Sequence, residues 1–161
     1  MNPTEDLEIL AQQEALLRFP AFDPDTAWQV GSLLRNALLA RNAGGTVEIE
    51  RDGQLLFACT TPGASPGQAD WIRRKRNTVH HFARSSYAVG RDLALNSSTL
   101  ESTHNLSETD FAAHGGGFPI FLGETGCVGS IILSGLPQRD DHNLVVTAIA
   151  QQLNVTIPQL A

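Results

Sequence analysis

The segment from His114 to His142 constrains the fold more than any other part of the chain. Seven of the 14 glycines lie in it. Two apolar runs, Phe118–Leu122 and Cys127–Leu133, flank a Gly123-Glu124-Thr125-Gly126 turn. Short apolar runs bounded by turn residues predict a hairpin of two mostly buried strands. Gly115, Gly116 and Gly117 strip the side chains from the backbone just before the first of these strands. Another backbone, a helix or a ligand can approach closely there.

A second hairpin is written around Asp52-Gly53, a strong signal for a two-residue turn. Its strands are Thr46–Arg51 and Gln54–Thr60. Regular pairing sets Arg51 against Gln54, Ile49 against Leu56 and Val47 against Ala58, on one apolar face. The other face carries Glu48 and Glu50 beside Leu55, Phe57 and Cys59. A face so mixed predicts incomplete cover, by a helix or another subunit.

Helices are predicted around these hairpins. The first runs from an N-cap at Thr4 to Leu17, and the second from Asp25 or Thr26 to about Asn42, stopped by Gly44-Gly45. Gln68–Arg84 is a charged helix with Trp71, Ile72, Lys75, Val79 and Phe82 on its broad apolar side, prolonged after a break by Ser85–Ala94. Asn96–Asn105 has Ser/Thr-rich turn chemistry. The last helix starts between Pro137 and Asp141, capped by Asp140 or Asp141, with Val145, Ile149 and Leu153 as its stripe. The order helix, helix, hairpin, helix, hairpin, helix predicts an α+β domain whose antiparallel sheet is covered by helices. With 161 residues and no dividing linker, residues 1–161 are expected to form a single domain.

Charge excludes some partners. The net charge of −6 argues against nucleic acid and against acidic membrane surfaces. The N-terminal stretch is acidic where a secretory signal is basic, and no apolar run approaches the roughly 20 residues that span a bilayer. A cytoplasmic protein is expected, with Cys59 and Cys127 as reduced core thiols.

Candidate chemistry is sparse. Arg73–Arg76 has the composition of an anion clamp, and equally of a solvated helix face. His80 and His81 are adjacent on a helix and point about 100° apart, so they do not chelate one ion together; a surface or interface role is the simpler reading. His114 stands beside the three glycines, where it is either a structural histidine or part of a cavity. Asp140-Asp141-His142 has metal-ligand types, but capping explains aspartate at a helix start. Cys127 has no neighbouring base in the sequence. No nucleophile elbow, phosphate loop or zinc-helix motif is present, so no catalytic residue and no metal site is assigned. Lys75 is the single lysine beside ten arginines. Its neighbours Val79 and Phe82 put it on the core side of its helix, where an ammonium needs a partner. That partner is Asp141, the carbonyls around Gly115–Gly117, or an anionic ligand in the same gap.

Two segments together resemble the GlcG/HbpS-like family, also called the haem-degrading domain family. One is Lys75-Arg76-Asn77-Thr78-Val79-His80-His81-Phe82-Ala83-Arg84-Ser85-Ser86. The other is Gly115-Gly116-Gly117-Phe118-Pro119-Ile120, followed by Gly129-Ser130-Ile131-Ile132-Leu133-Ser134-Gly135 and Asp141. Trp71-Ile72-Arg73-Arg74-Lys75 and Ser134-Gly135-Leu136-Pro137-Gln138 look closest to a subgroup of bacterial and fungal proteins of uncharacterised function. The resemblance implies a profilin-like fold, a five-stranded antiparallel sheet flanked by helices in α/β/α layers, with the fifth strand expected near Phe111–Ala113. It also implies a homo-oligomer, and in some members haem.

Joined with the residue chemistry, the expectation is an oligomeric protein that binds haem or another small anionic ligand between the Trp71–Ser86 helix and the Gly115–Pro119 segment. The expected ligand-binding residues are Lys75, Asn77, Thr78, His114, Gly115, Gly116 and Gly117. The alternatives are a protein-interaction scaffold and a haem-degrading or other small-molecule enzyme; the fold does not choose among them.

Overall fold

The computed structural model describes residues 2–161. Helix α1 (Pro3–Leu16) starts at Asn2, whose side chain accepts the Thr4 N–H at 3.0 Å. Asn2 therefore takes the capping role expected of Thr4, because Pro3 is suited to a first helical position, where an N–H is not needed. Strand β1 (Arg18–Phe19) follows directly. Helix α2 (Pro24–Ala40) is capped by Asp23, not by Asp25 or Thr26. Asp23 accepts from the Thr26 N–H while the Thr26 hydroxyl accepts from the Asp23 N–H, a reciprocal pair that satisfies donors at the helix start.

Strands β2 (Thr46–Arg51) and β3 (Gln54–Thr60) have the expected bounds but not the expected register. Arg51 faces Gln54, and Glu50 faces Leu55, but Ile49 then faces Phe57 and Val47 faces Cys59. Leu56 is an extra residue, a β-bulge. It turns Phe57 onto the apolar face beside Val47 and Ile49, where Phe57 is buried. The aromatic ring gains a core environment that regular pairing would have denied it.

Helix α3 (Gln68–Phe82) stops at Ala83, which is left-handed, and Ser85 caps α4 (Ser86–Leu95). The polar segment expected to be turns contains a short helix, α5 (Leu100–His104), held by Thr99 and Ser102 in a reciprocal cap. Strands β4 (Gly117–Leu122) and β5 (Cys127–Ser134) form the glycine-rich hairpin, and α6 (Gln138–Leu153) closes the chain. Pro137 occupies the N-cap position of α6 without a side-chain cap; the role expected of Asp140 or Asp141 is not used, because Asp141 is engaged elsewhere.

The sheet order is β1-β4-β5-β2-β3. Four strands are antiparallel to their neighbours, whereas β1 runs parallel to β4 through Arg18–Phe121 and Phe19–Leu122. The fifth strand is thus Arg18–Phe19 rather than a segment near Phe111–Ala113, and the sheet is mixed. Ala112 points its N–H at the Arg74 carbonyl and the Thr78 hydroxyl, at 3.2 and 3.1 Å, which lashes that segment to α3 instead of to the sheet. Pro119, which has no N–H, lies on β4 beyond the reach of β1.

Helices α2 and α6 cover one face of the sheet and α3 the other. Leu34, Leu38, Val47, Ile49, Phe118, Ile131, Leu133, Val145 and Ile149 are completely or almost completely buried in the larger core. Ile132, between Ile131 and Leu133 on β5, points the opposite way and packs on Ile72 and Val79 of α3. Each such side chain contributes roughly 1.5–3 kcal/mol by leaving water. Asp6 of α1 receives Arg139 of α6 at 3.0 Å and Arg91 of α4 at 2.9 Å, tying three helices together. No helix among the described residues is long and apolar enough to cross a membrane.

Candidate functional site

Lys75 is carried by α3 to the back of the β5–α6 turn. Its Nζ donates to the Leu133 carbonyl at 2.9 Å and to Asp141 Oδ2 at 3.1 Å, and both side chains are almost fully buried. Asp141 in turn accepts the Gly135 and Leu136 N–H groups at 3.3 and 2.9 Å. Burial pushes the Lys75 ammonium below its usual pKa and Asp141 above its own, and each charge partly offsets the effect on the other. The pair therefore folds the Leu133–Leu136 turn around one carboxylate.

That turn forms one wall of a cleft of about 350 Å³. Lys75 and Asp141 lie at its base, with Gln68, Trp71, His114 and Gln138 around them. His114 is only partly covered and meets the edge of Trp71 with ring centroids 5.1 Å apart. Arg74 stacks its guanidinium over the Trp71 ring at 4.6 Å. Partial burial lowers the His114 pKa, and the positive charges of Lys75 and Arg74 lower it further, outweighing Glu108. All of these except Glu108 favour the uncharged imidazole.

The other expected ligand residues lie behind or beside this cleft. Gly116 has φ +124°, and a Cβ there would lie 2.2 Å from the Leu133 carbonyl oxygen and 2.8 Å from Lys75 Nζ. At Gly115 a Cβ would lie 2.1 Å from the Gln138 carbonyl oxygen, and the Gly115 N–H donates to the Gln138 side chain. Gly117 gives its N–H to Ser86 Oγ at 2.9 Å. Asn77 donates to the Asp110 carbonyl, and Thr78 is buried against Arg74 and Ala112. The glycines bring backbone onto backbone, and Asn77 and Thr78 hold the approach segment to α3. Gln68, Ser134, Leu136 and Gln138 were not expected in the lining; the Ser134-Gly135-Leu136-Pro137-Gln138 motif signalled the last three, and nothing signalled Gln68.

The arginine run is largely consumed by partners: Arg73 by Asp70 and Asp110, and Arg76 by Glu48. A second, open groove of about 770 Å³ runs past Glu48, Arg76, His80 and Cys127. In its floor the buried Glu50 carboxylate accepts from Ser130 Oγ at 2.9 Å and from the Gly53 N–H at 3.1 Å, and it also contacts His80 Nε2. Cys59 and Cys127 are free and half-buried, and burial raises both thiol pKa values. Among the described residues no group of three or more His, Cys, Asp and Glu is placed to hold a metal ion.

Residues 22–150 match the model of the HbpS-like family, described as haem degrading protein HbpS-like. The chain belongs to the HbpS-like family. A UPF0303 protein of Serratia proteamaculans (strain 568) is 49% identical over 158 residues, covering 98% of each chain. Among solved structures, the crystal structure of Ybr137w protein superposes with a TM-score of 0.86 at 25% identity, covering 92% of this chain and 87% of that one. A PduOC:haem complex has a TM-score of 0.70 at 18% identity, covering 86% and 99%. The fold is thus shared with solved structures of low sequence identity to this chain.

Proposed function

We propose that this HbpS-like chain is a cytoplasmic, homo-oligomeric small-ligand-binding protein, whose site is the cleft based on Lys75 and Asp141, and that its ligand carries an anionic group. The observation that carries the reading is geometric: His114 meets the Trp71 edge at the cleft mouth, Arg74 stacks over the same ring, and Lys75 lies at the base. Burial first, then Lys75 and Arg74, lower the His114 pKa. A carboxylate or phosphate entering there gains from both cations and from the neighbouring amide and indole groups. The cleft volume lies at the lower end of the range for small-molecule sites.

The test is an NMR titration of the His114 ring against a panel of small carboxylates and inorganic phosphate. A bound anion raises the His114 pKa, and Arg74→Gln weakens that effect while the protein stays folded. If no member of the panel moves His114 or the melting temperature, the anionic reading falls.

A second reading, haem, draws support from the same residue, since a neutral imidazole is the form that ligates iron. Bound haem would supply an iron centre, and His114 would hold it from the cleft mouth. A saturable Soret shift that disappears in His114→Ala is then expected; a shift that never saturates indicates surface adsorption.

A further inference from the structure

Strand β5 alternates its side chains between the two faces of the sheet. Ile131 and Leu133 enter the larger core, and Ile132 packs on Ile72 and Val79 of α3. The same alternation puts Ser134, two residues beyond Ile132, on the α3 face. There it lines the cleft with Gln68, Trp71 and Lys75 of α3. Ser134 is only 6% exposed, yet its hydroxyl joins no hydrogen bond among the described residues. Its cross-strand neighbour Thr46 differs. The Thr46 hydroxyl donates to Gln68 Oε1 at 2.9 Å, and Gln68 Nε2 donates to the Gly44 carbonyl at 3.1 Å.

Other donors converge on the same place. A lysine ammonium carries three N–H groups, and Lys75 commits two, to the Leu133 carbonyl and to Asp141. The Leu133 carbonyl belongs to the peptide unit that leads into Ser134, so ammonium and hydroxyl are neighbours. Gln138 accepts the Gly115 N–H through Oε1, and its amide N–H groups join no bond among the described residues. The one carboxylate at the base is already engaged, since Asp141 accepts from Lys75, Gly135 and Leu136. The base thus offers spare donors, and the group that completes it is an acceptor.

We propose that the cleft takes a monocarboxylate with an apolar body, its carboxylate seated inward on Ser134 Oγ and Lys75 Nζ and its body against Trp71 and Leu136. Ser134 is then the residue that selects this class. The inference rests on the anion-binding reading above and names its ligand class. The two oxygens of a carboxylate match two adjacent donors. A hydroxyl buried without a partner carries a cost that a ligand oxygen removes. Lys75 and Asp141 cancel in charge at the base, so one further negative charge is easier to desolvate there than two. Phosphate brings a second charge and no apolar body, whereas Trp71 and Leu136 offer apolar surface along the walls.

The experiment is titration calorimetry with benzoate, acetate and inorganic phosphate on the full chain, on Ser134→Ala and on Trp71→Ala, with a thermal melt of each protein. The parent is expected to bind benzoate at least about tenfold more tightly than acetate or phosphate. Ser134→Ala is expected to weaken benzoate about tenfold or more, because a hydrogen bond to a charged group is lost. The same variant is expected to melt at or above the parent's temperature, because no bond within the protein is lost. Trp71→Ala is expected to bring benzoate close to the affinity of acetate. Benzoate bound equally by Ser134→Ala, or a melt of that variant below the parent's, overturns the role of Ser134. Phosphate or acetate bound as tightly as benzoate, or benzoate unaffected by Trp71→Ala, overturns the ligand class. Each of these results leaves anion binding in the cleft standing, whereas a parent that binds none of the three overturns both.

Discussion

Lys75 Nζ and Asp141 Oδ2 are 3.1 Å apart in a place almost closed to water. The contact joins the middle of α3 to the start of α6 across the Leu133–Leu136 turn. The chain's single lysine falls here, its compact ammonium packed so close beneath Gly116 that a Cβ there would lie 2.8 Å from Nζ.

Removing one partner leaves the other as an uncompensated buried charge. Asp141→Ala is expected to cost about 3–5 kcal/mol of unfolding free energy, and Lys75→Met to cost less, because Asp141 keeps two backbone donors. The double variant Lys75→Met/Asp141→Leu is expected to recover part of the loss. Urea unfolding of the four proteins gives the coupling energy, and strictly additive losses would refute the pairing.

Acid is expected to unfold the protein partly through His142. Gln13 Nε2 donates to the Pro158 carbonyl, which turns Gln13 Oε1 toward His142 Nε2 at 2.8 Å. The imidazole proton therefore sits on Nε2, and Nδ1 is buried without a partner. Burial, then the Arg139 charge, lowers the folded pKa from 6.5 to about 3. Below pH 6.5 the unfolded chain takes up a proton that the folded chain refuses. The contribution is full above about pH 6.5 and falls by about 1.4 kcal/mol per pH unit down to about 3. His142→Gln, which retains an amide for Gln13, is expected to flatten the slope of unfolding free energy between pH 6.5 and 4. An unchanged slope would show that other groups carry it.

Gly116→Ala combines a positive φ with a Cβ placed 2.2 Å from the Leu133 carbonyl oxygen. The Gly116 carbonyl accepts the Leu133 N–H at 2.8 Å and β4 begins at the next residue, so the added carbon is expected to cost about 1–3 kcal/mol or more. Gly67→Ala is the control: nothing lies within 4 Å of its Cβ and its φ is −65°. It is expected to be neutral or to stabilise by up to about 1 kcal/mol. Thermal unfolding of the pair separates close backbone packing from a general effect of removing glycine.

The two hairpins, the long helices and the core side of α3 were legible in the sequence, because period and turn chemistry act over a few neighbouring residues. Asp52-Gly53 placed one turn, and the alternation of Ile131, Ile132 and Leu133 between apolar layers left β5 apolar throughout. Lys75 was legible as a buried cation in need of a partner, since its helical neighbours are apolar. The family resemblance extended this to a profilin-like arrangement.

Tertiary structure decided what local pattern leaves open. The bulge at Leu56 arose because Phe57 gains more by packing under Gly31 than regular pairing would give it. The two-residue β1 carries no period of its own and exists only because β4 offers an edge beside it. Of the three partners open to Lys75, the fold supplied Asp141 and the Leu133 carbonyl, 66 and 58 residues away. It likewise set His114 against Trp71, and gathered the cleft lining from segments far apart in sequence. Contacts of that kind depend on how helices settle on a twisted sheet, and sequence spacing does not encode them.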